Sequence, residues 1–318
     1  TLPNKSQLDE ITTWMSNNRD IPNEIINLID SIKHLHPMDV LRTAISTLSA
    51  FDESLEDDSI EANVKKGLSI TAKAPTIVTA HIRLRDGKAP IAPDKSLSHA
   101  SNFLYMLFGV IPDELDAKLI DKDLILHAEH GLNASSFTAR VVASTQSDVY
   151  SAITAGIACL KGPAHGGAAE GVMKQAQEIG DEKNTVNYVK NLLSSGGRIM
   201  GFGHRVYKVD DARKPHLKKM AKELWHEKNE MKLFEVAEEI EKQVKDRKPI
   251  ITNVDFYSAP LLYGLDIPTD LFTPLFAMSR IAGWTAHVLE QYQNNRLIRP
   301  RARYVGQIDR TFRPIEQR

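Results

Sequence analysis

Three short segments of this 318-residue chain place histidine where it could move protons. Residues 127–130 read His-Ala-Glu-His, residues 162–167 set His165 between glycines, and residues 203–207 begin Gly-His. A carboxylate, Asp255, stands in a fourth segment, residues 253–258. Imidazole and carboxylate are the side chains best suited to acid–base chemistry near neutral pH. We therefore predict that folding assembles these four segments into one site, with His204 at its centre.

The pair His127 and His130 has two other interpretations. The two residues are three apart and could share one face of a helix. The usual helical zinc pattern instead spaces its histidines four apart, with a glutamate directly after the first. A metal hydrolase built on His127, His130 and His204 stays an alternative, and so does a structural histidine pair.

His165 lies in a tight glycine–proline turn just before a helix predicted over residues 168–180. The positive end of a helix dipole disfavours imidazolium. A neutral imidazole can donate a hydrogen bond to a developing enolate oxygen, as in the handling of enolates by triosephosphate isomerase. The alternative is a loop histidine that caps its own helix.

Asp255 follows the mostly apolar residues 250–254, so burial is expected to raise its pKa and its strength as a base. A helix N-cap is the alternative role for this residue. The glycine-rich residues 196–204 lack a phosphate-binding pattern: Val206 stands where the dinucleotide fingerprint needs its third glycine, and no Gly-Lys-Ser/Thr follows.

Arg280 stands on an otherwise apolar stretch, where an unpaired charge is costly. An anion is therefore expected to meet it. Glu290 is the internal candidate. A small dicarboxylate substrate is the external one, because a guanidinium group matches a carboxylate in a bidentate fork.

Helical patterns dominate the elements that must position these residues. We predict helices over 8–17, from Pro37, over 101–108 with a stop at Gly109, over 135–160, within 212–246 and over 270–294. Short strands are predicted over 78–84 and 249–253. The chain is thus expected to be all-α with few short strands. A large helical domain is predicted from 1–166 and 267–318, and a small one from 167–266.

Composition narrows the functional classes. The chain is 42% hydrophobic and 25% charged, with a net charge of −1, so no overall field draws it to nucleic acid or to anionic membranes. No apolar run approaches the ~18 residues of a membrane span. One cysteine, Cys159, excludes a disulfide within the chain and favours a cytoplasmic location.

Taken together, the motifs resemble the citrate synthase family, most closely its shorter bacterial and archaeal dimeric members. The resemblance rests on residues 127–140, 162–167, 203–208, 253–258 and 294–301 and extends over essentially the whole chain. It implies an all-α homodimer with a large and a small domain and shared active sites. Ala164 departs from the leucine of many members. Members also usually begin with a further segment that includes a small strand-forming region.

The resemblance also assigns roles. The catalytic set falls on His165, His204 and Asp255. Oxaloacetate binding falls on His130, with His127 in support and with Arg213, Arg280 and Arg299, of which Arg299 reaches the neighbouring subunit's site. Contacts to CoA fall on the backbone of Ile199, Met200, Gly201, Phe202 and Gly203 and on Lys208.

The implied reaction is that of the tricarboxylic acid cycle enzyme, a transferase. It condenses acetyl-CoA with oxaloacetate and hydrolyses citryl-CoA to citrate and CoA. CoA thioester is a substrate here, and no metal or cofactor is implied. The same chemistry on propionyl-CoA would give 2-methylcitrate and stays open, since one methylene in an apolar pocket discriminates by only ~1–3 kcal/mol. A helical scaffold without catalysis is the third alternative.

Overall fold

The computed structural model describes residues 2–318, so Thr1, where the predicted large domain begins, lies outside it. Fourteen α-helices make up most of the described chain. In order they are α1 (Lys5–Asn17), α2 (Asn23–Ser31), α3 (Pro37–Leu48), α4 (Ile60–Arg85), α5 (His99–Phe108), α6 (Glu114–His127), α7 (Ala134–Ala143), α8 (Val149–Leu160), α9 (Ala168–Ile179), α10 (Glu182–Ser194), α11 (Lys214–Glu227), α12 (Lys232–Lys245), α13 (Val254–Gly264) and α14 (Phe272–Gln293). The all-α prediction is confirmed.

Local sequence signals explain where many helices begin and end. Asn133 and Asn253 cap α7 and α13 by accepting hydrogen bonds from backbone N–H groups of the first turn. Pro37 occupies the first turn of α3, where its missing N–H costs nothing. Gly109 ends α5 in the left-handed conformation, with φ 84°.

The long helices α4 and α14 form the centre of the larger group of helices. Helix α14 packs against α3, α4, α6, α7 and α8. It approaches the backbone after α6 so closely that a Cβ added at Gly283 would lie 2.2 Å from the carbonyl oxygen of Ala128. Glycine is thus required where α14 passes the histidine segment.

Helices α9 to α13, here called the small group, pack mainly on one another, with α13 against both α9 and α11. Residues such as Leu217, Phe234 and Ile240 are buried between them, as the 3.6-residue periodicity predicts. Within residues 2–318 no helix is both long enough and apolar enough to cross a membrane.

Both strand predictions were wrong. Residues 78–84 continue α4, because burial of this segment on nearly all sides outweighs the preference of its β-branched residues for strands. Residues 249–253 contribute one isolated bridge, between Thr252 and Phe202, and the rest of the described chain adds no regular strand.

The single helix predicted over 135–160 was also wrong. The chain leaves α7 after Ala143, turns at Gln146 with φ 65°, and restarts at α8. The side chain of Asp148 accepts a hydrogen bond from the backbone N–H of Ser151 and so caps the new helix. A local capping group therefore outweighs the continuous apolar pattern.

Candidate active site

The predicted residues meet at a cleft of about 1120 Å³ between the small group and the ends of α6 and α14. Seven of them line it together: His130, His165, Gly203, His204, Arg213, Asp255 and Arg280. Folding therefore assembles all four sequence segments around one space. This is the arrangement that a shared acid–base chemistry requires.

Asp255 is the second residue of α13, and its side chain is 6% exposed. Asn253, rather than Asp255, caps this helix, since its Oδ1 accepts the N–H of Asp255 at 3.1 Å. The carboxylate is therefore free for chemistry. Burial raises the pKa of Asp255 to about 6, against a smaller lowering by His127. A carboxylate of that pKa is a stronger base than an exposed one.

The loop that carries His204 is tied to the segment before Asp255. The N–H of Gly203 donates to the carbonyl of Ile251 at 2.8 Å, and the N–H of Asn253 donates to that of Gly201 at 2.9 Å. Gly201 has φ 76°, and a Cβ there would lie 2.7 Å from Val172. These contacts place His204 beside the N-terminal end of α13.

The local turn determines the protonation of His204. Its Nδ1 accepts the backbone N–H groups of Val206 at 3.1 Å and Tyr207 at 2.9 Å. An acceptor nitrogen carries no proton, so the neutral ring holds its proton on Nε2. Burial also lowers the pKa of His204. The residue is therefore set up to donate a hydrogen bond from Nε2.

His130 contacts the His204 loop across the cleft. Its Nε2 lies 3.1 Å from the hydroxyl of Tyr207, and its ring meets that of His204 edge-on with centroids 5.2 Å apart. Tyr207 in turn stacks on His204 at 4.5 Å. Burial, with a smaller contribution from the Arg213 cation, lowers the pKa of His130 to about 4, so the ring is neutral at pH 7.

His165 sits in the turn between α8 and α9 and does not cap α9. Its Nε2 lies 2.9 Å from Oγ of Ser135, the second residue of α7. That oxygen also accepts the indole N–H of Trp284 at 3.2 Å. Burial, with a smaller contribution from the Arg280 cation, lowers the pKa of His165 to about 4. The imidazole is therefore neutral in the cleft.

Two arginines bring positive charge to the same space. Arg280 is 1% exposed, and its Nε donates to the carbonyl of His127 at 2.7 Å. Glu290, the internal partner considered from sequence, pairs with Arg140 instead. No carboxylate of residues 2–318 lies within 4.0 Å of the Arg280 guanidinium. Arg213 is held from one side by Asp211, through contacts of 2.9 and 2.7 Å. An anion in the cleft can bind both arginines.

His127 does not line the cleft with the others. It is the last residue of α6 and 2% exposed, while His130 lies in the following loop, so the prediction of a shared helix face was wrong. The turn at Gly131, with φ 58°, belongs to this loop. His127 packs edge-on against Phe276 behind the cleft wall, with centroids 4.7 Å apart.

The remaining predicted residues lie around or outside this space. Gly203 lines the cleft, but Ile199 is buried, and Phe202 packs on Phe256 at 4.8 Å. Lys208 is exposed beside the His204 loop. Arg299 is exposed in the segment after α14, away from the cleft lining of its own chain.

Sequence reasoning missed four residues that support the site: Asp123, Ser135, Tyr207 and Asp211. Asp123 precedes His127 by four residues on a helix, and this spacing was a usable signal. Ser135 and Tyr207 stand within the motifs, but only folding shows that they contact His165 and His130.

Comparison with known proteins identifies the family of the chain. A family model described as "Citrate synthase, C-terminal domain" matches residues 1–301. Citrate synthase 2 of Bacillus subtilis is 49% identical over 319 residues, which cover 100% of this chain and 86% of that relative. A 2-methylcitrate synthase of Corynebacterium glutamicum is 43% identical over 323 residues, covering 100% and 84%.

A solved structure is similar as well. Citrate synthase from Thermoplasma acidophilum, in a ternary complex with carboxymethyl coenzyme A and oxaloacetate, superposes with a TM-score of 0.93. It is 32% identical, and the match covers 99% of this chain and 85% of that one. The chain belongs to the citrate synthase family. It is an enzyme of the condensing transferase type that the family defines.

Proposed function

We propose that the cleft condenses acetyl-CoA with oxaloacetate and hydrolyses the resulting citryl-CoA to citrate and CoA. One observation supports this most: a buried carboxylate of raised pKa, Asp255, shares the cleft with the neutral imidazoles His165 and His204. The thioester methyl group is only weakly acidic. Its deprotonation needs a base on one side and a hydrogen-bond donor at the thioester oxygen on the other.

In the first step, Asp255 takes a proton from the methyl group. His165 donates a hydrogen bond to the thioester oxygen, which becomes enolate-like as the C–H bond breaks. The imidazole of His165 is neutral and half-buried. It can therefore donate a hydrogen bond to the enolate oxygen without a change in its own protonation state. Donation towards the cleft from Nδ1 requires that Ser135 donate its hydroxyl proton to Nε2.

In the second step, the methyl-derived carbon attacks the ketone carbon of oxaloacetate. The ketone oxygen gains negative charge, and His204 donates to it from Nε2. His130 is proposed to hydrogen-bond oxaloacetate next to this oxygen. The oxygen of a water molecule then bonds to the acyl carbon as the C–S bond breaks. One water proton goes to the CoA sulfur, and the acid product releases the other to solvent and becomes a carboxylate. Asp255 accepts the methyl proton, His204 supplies the proton of the new hydroxyl group, and solvent restores both side chains, so we propose that no cofactor takes part.

Oxaloacetate is a dianion, and we propose that Arg213 and Arg280 bind its carboxylates. The Arg280 guanidinium has no carboxylate partner among residues 2–318, and burial lowers its pKa to about 10, so it stays charged at pH 7. A buried cation without an anion is unfavourable, and a substrate carboxylate relieves that cost. Positioning the ketone in this way also fixes the face that is attacked.

Membership of the citrate synthase family also suggests a domain motion, a dimer and a set of CoA contacts. We propose that residues 167–266 form a small domain that moves against the rest of the chain to exclude water. The protein is proposed to be a cytoplasmic homodimer in which Arg299 completes the partner's site. CoA is proposed to contact the backbone of 199–203 together with Lys208, where Gly203 already borders the cleft.

The experiment is a thiol-release assay on the purified protein with oxaloacetate and either acetyl-CoA or propionyl-CoA, with the product identified. A higher kcat/KM for acetyl-CoA and citrate as product are expected. The 2-methylcitrate relative keeps propionyl-CoA as the second candidate, and preference for it would establish that function instead. Activity lost to a chelator and restored by zinc would favour the metal hydrolase.

A further inference from the structure

A buried carboxylate lies directly behind the cleft wall. Asp123 on α6 is 0% exposed. Its Oδ1 accepts the hydroxyl proton of Ser258 at 3.1 Å, but among residues 2–318 its Oδ2 has no hydrogen-bond donor. Oδ2 lies 3.4 Å from Nδ1 of His127. Because an isolated charge is costly in a protein interior, this carboxylate needs a nearby cation.

His127 can be that cation. Its Nδ1 lies 2.9 Å from the backbone carbonyl oxygen of Asp123, an acceptor, so this nitrogen carries a proton. Burial alone would lower the pKa of His127, but the Asp123 carboxylate, with a smaller contribution from Asp255, outweighs burial and raises it. The three histidines that line the cleft, His130, His165 and His204, have lowered pKa values instead. His127 is therefore the one of these four histidines whose surroundings favour the charged form.

Helix geometry connects this pair to the proposed base. Asp255 and Ser258 are three residues apart on α13 and share a face, as Asp123 and His127 do on α6. The Ser258–Asp123 hydrogen bond brings the two faces together. The charge of His127 then acts on Asp255 and favours its ionised form.

We propose that Asp123 is a positioning residue that acts through His127: its carboxylate keeps an imidazolium behind the cleft wall, and that cation keeps Asp255 ionised for proton abstraction. This inference rests on the proposed function. It assigns a role outside the cleft lining to a residue that touches no substrate.

Other charged groups face the same residues. On His127 the facing groups are Asp123 from its own helix and Asp255 from α13. On Asp255 they are His127 from α6, Arg213 and Asp211 from the loop before α11, and Arg280 from α14. Of the two carboxylates that raise the pKa of His127, Asp255 lines the cleft and Asp123 does not.

The test measures kcat/KM for acetyl-CoA against pH in four proteins: wild type, Asp123→Asn, His127→Gln and the double variant. Asn keeps an oxygen that accepts from Ser258 and removes the charge. The low-pH limb of this pH–rate profile reports the ionisation of Asp255. We expect it to move to higher pH by about one pH unit in Asp123→Asn. His127→Gln is expected to give the same shift. The double variant is expected to shift no further than His127→Gln alone.

The matched control is Asp121→Asn, the same substitution on an exposed position of α6. A second readout is the nitrogen NMR signature of His127, expected to be protonated on both nitrogens in wild type at pH 7 and on one in Asp123→Asn. An unmoved limb, a shift that adds in the double variant, or a neutral His127 in wild type would overturn the inference. Absence of CoA release by the wild-type protein would instead overturn the proposed function.

Discussion

The hydroxyl oxygen of Ser135 lies 2.9 Å from Nε2 of His165 and also accepts the indole N–H of Trp284 at 3.2 Å. With one lone pair engaged by Trp284, the Ser135 hydroxyl can give its proton to His165 or to Oδ1 of Asn133 at 2.8 Å. Only donation to His165 leaves the imidazole proton on Nδ1. The direction in which the Ser135 hydroxyl donates therefore determines which nitrogen of His165 carries the proton and can act as a donor.

Ser135→Ala should therefore lower kcat by about five- to tenfold with little change in KM for oxaloacetate, since one neutral hydrogen bond contributes about 1 kcal/mol. Steady-state kinetics with both substrates provides the measurement. Ser136→Ala is the control, because Ser136 is equally buried in the same turn but contacts Asn133 rather than His165. Equal losses in the two variants would indicate damage to the helix start instead.

Asp255→Asn should make the protein more stable at pH 8. The folded-state pKa of Asp255 is raised to about 6, so its ionisation at higher pH destabilises the fold, by about 3 kcal/mol at most. At pH 4 the carboxyl is protonated in the folded state and about half protonated in the unfolded state, so most of the advantage should be lost. Urea unfolding at pH 8 and at pH 4 tests this. A less stable variant at pH 8 would contradict the raised pKa.

Arg280→Met should raise KM for oxaloacetate by on the order of 100-fold, because a lost charge-assisted contact in a dry site costs about 2–3 kcal/mol. The variant should also be at least as stable as wild type without substrate, since it removes a buried cation that has no carboxylate partner within residues 2–318. Arg140→Met is the control. Arg140 pairs with Glu290 and lies outside the cleft lining.

The sequence predicted which residues share a cleft better than it predicted the elements around them. His165, His204 and Asp255 were recognisable because glycine- and turn-bounded segments restrict where their side chains can go. Residues 78–84 were mistaken for a strand because local β preference is visible in sequence, whereas the burial that holds α4 together is not. Contacts such as Tyr207 with His130 join residues 77 apart and arise only on folding.

Mixed dimers would test the proposed exchange of Arg299. Arg299→Gln and Asp255→Asn are each expected to be nearly inactive. If Arg299 acts in the partner's site, a dimer with one copy of each has one intact site. Co-refolding equal amounts should then restore about a quarter of wild-type turnover, since half of the dimers are mixed. If mixed dimers are shown to form and remain inactive, Arg299 acts in the active site of its own chain or in neither active site.

The most direct measurement is CoA release from acetyl-CoA and oxaloacetate by wild type, Asp255→Asn and the control Asp121→Asn. Wild type and Asp121→Asn should release CoA only when both substrates are present, with citrate as product. Asp255→Asn should remain folded and lose about 10²–10⁴-fold in kcat, the usual contribution of a general base. Turnover by Asp255→Asn at the wild-type rate would contradict the assignment of Asp255 as the base that removes the methyl proton.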